Sequence, residues 1–413
     1  MSALKSALKF RLACYLLAPL LWAFLAGTAR AGIQPEDFLE ACATGDLEKF
    51  QKLAAEEDFD PNITSPFKPY HNKSGLVLAA ENGHENIVKA LLDFEQTDVD
   101  HSGPDGGTAL YYAAEKGHTN IVNMLIGASA TLDLRCRIHL DFSRADRNFY
   151  SKTALCAAAE HGHLDIVELL LENGAKFTHA WAGYTPLYIA AENNHKDIVK
   201  KLLDRGASVD QGRKKSPHKL ARTPLEAASW KDCTEIAKLL IDFGAKITST
   251  VIQAAVSRDN EQLLQYILES KPDIVRSNSD QNVGELLYRA AGNGYANIIK
   301  MLIDSGADIN TTYQDQTPLF TAVKVGHNNV VRLLIQEGAE VGDTFELEDG
   351  NLTAESIKSL ASCGWPINEN QGKDLTPLVN AAENGNLKLA EALLDAGADI
   401  NKPSQIGVSR WDL

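Results

Sequence analysis

The sequence predicts an all-α protein built as an array of stacked helix pairs, on three observations. A block of about 33 residues recurs from near residue 36 to the C-terminus. Each block holds two apolar stretches at helical spacing, and each stretch carries its own start and stop residues. The clearest copy reads Thr185-Pro186-Leu187, Ala190-Ala191, His195, Ile198-Val199, Leu202-Leu203 and Gly206-Ala207. Because repeats of this kind touch only their neighbours, the 413 residues read as one elongated array of ten or eleven helix pairs.

The first helix of each block starts at a hydroxyl residue, whose oxygen accepts from an orphan backbone N–H. A proline in the first helical position has no N–H to lose. Thr185-Pro186, Thr223-Pro224, Thr317-Pro318 and Thr376-Pro377 carry both features, whereas Ser74, Thr108 and Thr153 carry the hydroxyl alone. Counting on by the same position places three further starts at Thr250, Glu285 and Thr344. An alanine pair follows, at 79/80, 113/114, 158/159, 190/191, 290/291 and 381/382, where neighbouring helices must approach closely.

A turn at Gly83-His84, Gly117-His118, Gly162-His163 or Gly326-His327 leads into the second helix. Ile166, Val167, Leu170 and Leu171 are spaced to lay one apolar stripe inward. The helix stops at Gly174, Gly206, Gly244, Gly306, Gly338 or Gly397, since the residue after a helix often turns left-handed. Ser129 holds that slot in the second full copy and predicts a weaker helix end.

These in-phase features resemble the ankyrin repeat family, whose period and Thr-Pro-Leu-His start they approach. The histidine of that start is replaced by Tyr188, Glu226, Phe320 or Val379. The resemblance implies an ankyrin solenoid with β-turn fingers between repeats. Residues 32–66, with Phe38, Ala41-Cys42 and Leu53, read as an N-terminal capping repeat, and 67–413 as the array. Forty-five residues separate Thr108 from Thr153, so an insertion falls at 135–150. The copies near 250–280 and 344–370 are degenerate, and their short spacing leaves no room for a full finger.

Residues 1–31 read as a secretory leader. Lys5, Lys9 and Arg11 precede an apolar run from Leu12 to Ala26, and Ala29-Arg30-Ala31 supplies the small-x-small pattern for cleavage before Gly32. Cleavage yields a secreted or periplasmic protein with no membrane segment. The alternative is an uncleaved anchor, because about 18 apolar residues can just span a bilayer. Loss of the four basic leader residues takes the net charge from −15 to −19, which excludes generic nucleic-acid binding.

Cys42, Cys136, Cys156, Cys233 and Cys363 remain after cleavage, an odd set without a Cys-x-x-Cys pair. Cys42 and Cys233 replace structural residues. Cys136, in the insertion, is expected to be exposed, as one end of a disulfide or as a reactive thiol.

No zinc-protease helix, nucleophile elbow or phosphate-binding Gly-rich loop occurs, so the sequence names no catalytic, cofactor-binding or metal-binding residue. The turn histidines recur once per repeat and serve the scaffold. Asn62, Asn72, Asn310 and Asn351 head Asn-x-Ser/Thr sequons.

The residues that the helix pairs do not require lie between the alanine pair and the turn. By resemblance to the family they face the concave binding surface: Glu81-Asn82, Glu115-Lys116, Glu160-His161, Glu192-Asn193 and Trp230-Lys231. The four glutamates read as a solvent-screened ladder of like charge suited to a protein partner with a basic surface. Trp181, Tyr184 and Trp230 read as exposed aromatic anchors. Arg213, Lys214 and Lys215 form a basic finger that offers a second partner contact. The reading is a non-enzymatic extracytoplasmic scaffold; the alternative is an enzyme or enzyme accessory with its site in the 135–150 insertion. The exported protein is expected to begin at Gly32, and an intact mass that retains residues 1–31 in a membrane fraction would instead establish the anchor.

Overall fold

A computed structural model describes residues 34–402, apart from 57, 68, 104–105, 139–149, 178–183, 213–221, 278–279, 341–353, 363–364, 366 and 370–374. The leader, Ala31 and Gly32 therefore lie outside the described residues. The chain divides into two compact units, Met1–Ala190 and Ala191–Leu413. Both are built from the same helix pair.

In the first unit the pairs are α1 (Pro35–Thr44) with α2 (Leu47–Ala54), α3 (Gly75–Asn82) with α4 (Glu85–Leu92), α5 (Ala109–Lys116) with α6 (Thr119–Gly127), and α7 (Ala154–His161) with α8 (Leu164–Glu172). First helices α1, α3, α5 and α7 pack in sequence as one layer, and second helices α2, α4, α6 and α8 as another. The first layer is buried nearly all round. Helix α5 hides Ala109 through Ala114, including two tyrosines. Each second helix buries one stripe, such as Ile121, Val122 and Leu125 on α6. Each fully buried leucine or isoleucine contributes about 1.5–3 kcal/mol.

Helix α9 (Pro186–Glu192) carries the boundary between the units. The second unit continues with α10 (Lys196–Asp204), α11 (Pro224–Trp230), α12 (Thr234–Asp242), α13 (Ser249–Ser257), α14 (Glu261–Ser270), α15 (Ile274–Ser277), α16 (Asp280–Asn293), α17 (Ala296–Asp304), α18 (Pro318–Val325), α19 (Asn328–Gln336), α20 (Ala354–Ser362), α21 (Pro377–Glu383) and α22 (Leu387–Asp395). First helices α11, α13, α16 and α18 stack in order, as do second helices α10, α12, α14, α17 and α19. Helix α20 packs against both α19 and α22, so it holds a second-helix place, with Ile357 and Leu360 fully buried.

All seven hydroxyl starts form as expected. The side chains of Ser74, Thr108, Thr153, Thr185, Thr223, Thr317 and Thr376 each accept from the N–H three residues on, at 3.1–3.4 Å. Two of the three starts placed by counting are corrected. Thr248, not Thr250, begins α13 in extended backbone, and its hydroxyl donates to Glu226 instead of capping. Glu285 lies inside α16, which runs back to Asp280. Thr344 lies outside the described residues. Only six residues join α12 to α13, so no finger separates them.

Elsewhere the fingers are shallow turns closed by single bridges, Thr64 to Ser74 and Ser102 to Thr108. The insertion opens as a two-stranded ribbon, β1 (Cys136–Ile138) against β2 (Tyr150–Lys152), with Cys136 opposite Lys152. Cys136 is 2% exposed and forms no disulfide among the described residues, which corrects the expectation of an exposed thiol. It sits at the buried root of the ribbon rather than near its tip. Among the described residues no helix is long and apolar enough to cross a membrane.

The second-helix stops take left-handed backbone, with Gly206 at φ 85 and Ser129 at φ 65. A Cβ added to Gly206 meets nothing within 4 Å, so only backbone strain opposes a side chain there. Gly206→Val should therefore destabilise the protein by at least about 1 kcal/mol. A denaturant midpoint equal to that of the parent would show that the turn does not need glycine.

Candidate functional site

The candidate site is the strip where the end of each first helix meets the residue that leads out of the preceding finger. The helix periodicity puts one residue per repeat at the same height, four residues beyond the buried slot that follows Thr-Pro-Leu. In the first unit these are Glu81, Glu115 and Glu160. All three are half-buried, and the residues that follow, Asn82, Lys116 and His161, are exposed.

The glutamates are not an unscreened ladder. Lys73 reaches from the finger to Glu81 at 2.7 Å, with both side chains less than a quarter exposed. Lys152 pairs with Glu160, and Lys116 lies 3.3 Å from Glu115. Alternating charge thus replaces the expected run of like charge. Lys73 and Lys152 come from the finger that precedes the helix, whereas Lys116 is the next residue on the same helix. The Lys73 ammonium also lies 4.0 Å from the centre of the Tyr112 ring, adding a cation–π contact. In the second unit Glu192 is half-buried and Asn193 exposed.

The aromatic anchors are more enclosed than their sequence pattern implies. Trp230 is half-buried, with the Arg222 guanidinium 5.4 Å from its ring centre, and Lys231 beside it is exposed. Tyr184 is half-buried against the edge of Tyr188, centroids 5.6 Å apart. Trp181, the finger residues Arg213, Lys214 and Lys215, and Cys363 lie outside the described residues.

The slot that holds histidine in the Thr-Pro-Leu-His start is filled by other chemistry. Tyr188 fills it as a fully buried ring. Glu226 fills it as a buried carboxylate that accepts from the Thr223 N–H at 3.0 Å, closing a capping box, and from the Thr248 hydroxyl at 2.8 Å. One side chain thereby ties the start of α11 to the start of the next repeat.

The paired histidines do scaffold work. His161 Nδ1 is 3.0 Å from the Ala157 carbonyl, and His163 Nε2 is 3.1 Å from the Glu115 carbonyl. No cluster of metal-ligating side chains occurs among the described residues. Burial pushes the Cys42 and Cys156 thiols up, away from the reactive thiolate.

Sequence reasoning missed one recurring link. In five places an Asp or Asn near a finger accepts a backbone N–H from the next repeat: Asn62 from Asp98, Asp100 from Thr131, Asp133 from Lys176, Asp210 from Lys246 and Asn310 from Glu340, at 2.7–3.0 Å. The pattern was legible at two of the Gly-Ala stops, where Asp210 and Asn310 follow the alanine by three residues. It also commits two of the sequon asparagines. Asn62 uses both ends of its amide, donating to the Gln96 carbonyl at 2.7 Å.

Models of ankyrin repeats in three copies match residues 38–138, 136–213, 179–251 and 251–344, and a single ankyrin repeat model matches 373–405. An ankyrin repeat protein of fowlpox virus (strain NVSL), FPV115, is 34% identical over 93 residues. That match covers 22% of this chain and 16% of the viral protein, so this chain spans a small part of that relative's length. The crystal structure of the human ASB11 ankyrin repeat domain is 27% identical, with a TM-score of 0.45, and the likeness covers 57% of this chain and 97% of that one.

The buried Glu226 gives the site's clearest stability test. Glu226→Ala leaves the Thr223 N–H and the Thr248 hydroxyl without their acceptor and should cost about 1–3 kcal/mol. Glu226→Gln, which keeps one acceptor oxygen, should lie between it and the parent in thermal unfolding. Equal midpoints for all three proteins would show that the carboxylate carries no structural load.

Proposed function

Because this chain belongs to the ankyrin repeat family, whose repeats serve as protein-binding scaffolds, we propose that it is a non-enzymatic, exported scaffold for a partner with a basic surface. The partner lies along the first-helix strip and the adjoining fingers. One observation carries the reading: at the same height in repeat after repeat stands a half-buried carboxylate followed by an exposed polar or charged residue, in positions that neither cap nor fill the core. The net charge of −15, or −19 without the leader, gives such a partner long-range attraction.

The insertion fits the same reading. Its described ends, Cys136–Ile138 and Tyr150–Lys152, pair as a ribbon that continues the finger of its repeat, which fits a lengthened finger beside the strip. Export rests on the leader and its Ala-x-Ala ending, and among the described residues no helix is long and apolar enough to cross a membrane. Trp181, Tyr184 and Trp230 supply apolar contact beside the charged strip, and Arg213, Lys214 and Lys215 offer a separate basic contact.

The test is affinity for the partner captured from the compartment that holds the mature chain. Replacing Glu81, Glu115, Glu160 and Glu192 together by glutamine should weaken binding. The loss should shrink with added salt, since the long-range attraction between the acidic chain and a basic partner is screened beyond about 8 Å at physiological ionic strength. Replacing Trp181, Tyr184 and Trp230 by alanine should weaken binding with far less salt dependence. Unchanged affinity in both sets would move the interface to the insertion and the basic finger.

A further inference from the structure

The residue before each first-helix cap stands eight positions ahead of the glutamate that follows the alanine pair. In two repeats that residue is a lysine, and it pairs with the glutamate: Lys73 with Glu81 at 2.7 Å, and Lys152 with Glu160. The repeat between them has Gly107 at the same position, so its finger offers no cation to Glu115. The cause is local packing. A Cβ on Gly107 would lie 2.5 Å from the Tyr112 ring, which fills the space a side chain needs. Glu115 remains 22% exposed, and the cation beside it is Lys116, the next residue, itself 48% exposed. A neighbour so open to water holds a carboxylate weakly.

A second feature of the same helix points to a missing group. Tyr111, one turn before Glu115 on the same face, is 3% exposed. Its backbone N–H bonds to the Thr108 cap, but its hydroxyl makes no hydrogen bond among the described residues. Buried hydroxyls are seldom left so, because the water they give up is not replaced. Burial raises the phenol's pKa, and the Glu115 and Glu160 carboxylates and the Cys136 and Cys156 thiols push it the same way. The hydroxyl therefore stays protonated within electrostatic reach of both carboxylates.

We propose that Glu115 and Tyr111 form the receptor for one basic side chain of the bound partner, which takes at this repeat the place that Lys73 and Lys152 fill in the flanking ones. An ammonium donates one hydrogen bond to the Glu115 carboxylate and another to the Tyr111 phenol oxygen. This completes the ion-pair series and satisfies the buried hydroxyl together. The assignment rests on the reading of a basic partner along this face and selects one carboxylate of the strip as its specific contact.

The probes are a blocked Gly-Gly-Lys-Gly-Gly peptide, its norleucine counterpart and a lysine decamer, titrated onto the full chain and followed by amide chemical shifts. The lysine peptide should saturate with shifts centred on Tyr111 and Glu115, and the norleucine peptide should not. Glu115→Gln and Tyr111→Phe should each weaken the lysine peptide by about fivefold or more, the loss of one charge-assisted or neutral hydrogen bond. Glu81→Gln and Glu160→Gln should weaken it less than Glu115→Gln does, since Lys73 and Lys152 already pair with those carboxylates. Tyr111→Phe should melt no lower than the parent, because it removes an unpaired hydroxyl.

Equal losses for all three glutamates would overturn the site while leaving the basic-partner reading standing. Failure of the lysine peptide to bind would overturn the site, and the decamer then reports separately on the broader reading. Equal binding of the norleucine peptide, or a lower melting temperature for Tyr111→Phe, would also overturn it, the latter by showing that water already partners the hydroxyl.

Discussion

A histidine ring laid against a left-handed glycine turn sets the distance from one repeat to the next. Gly45, Gly83, Gly117 and Gly294 all have φ between 79 and 82. A Cβ at these positions would fall 2.5–2.9 Å from the ring of His84, His118, His163 and His327, respectively. In each case Nε2 meets a carbonyl of the preceding helix end, at 2.9–3.3 Å, and must donate to it because a carbonyl only accepts. Glycine is thus required twice, for the backbone conformation and for the close approach. Where the pattern lapses, Asp232 and Asp259 take the left-handed turn, and Asn260 replaces the histidine by donating to Asp232 and Thr234.

Once that distance is fixed, the remaining contacts follow at each level. The alanine pairs let first helices touch, and the finger Asp and Asn side chains reach the backbone of the next repeat. The glutamates after the alanine pairs come to one height, within reach of lysines from the fingers. Scaffold and proposed binding strip therefore use different residues on the same short helix. The buried positions hold the stack, and the last turn is left to present charge.

Much of this was legible in the sequence because it depends on local geometry. The seven hydroxyl caps, the left-handed stops and the apolar stripes each follow from residues a few positions apart. The helix starts at Thr248 and Asp280 were not legible from a fixed count, since neither copy carries the Thr-Pro pair that marks the start elsewhere. The lysine pairs were missed because they join residues eight apart across a finger, whose path no helical period describes. Cys136 read as exposed because it opens an insertion, yet the ribbon roots that insertion in the core. The enclosure of Trp230 involves Arg222, eight residues earlier and likewise outside any helical period.

The central claim is that the turn glycine and the next repeat's histidine act as one unit. A double-mutant cycle on Gly83→Ala and His118→Ala, read by denaturant unfolding, tests it most directly. In the parent, the alanine side chain meets both backbone strain and the His118 ring; without the ring it should meet only the strain, about 1–2 kcal/mol. The two changes together should then cost less than their sum by at least about 0.5 kcal/mol. Additive costs would contradict the claim that the ring and the turn determine the repeat spacing together.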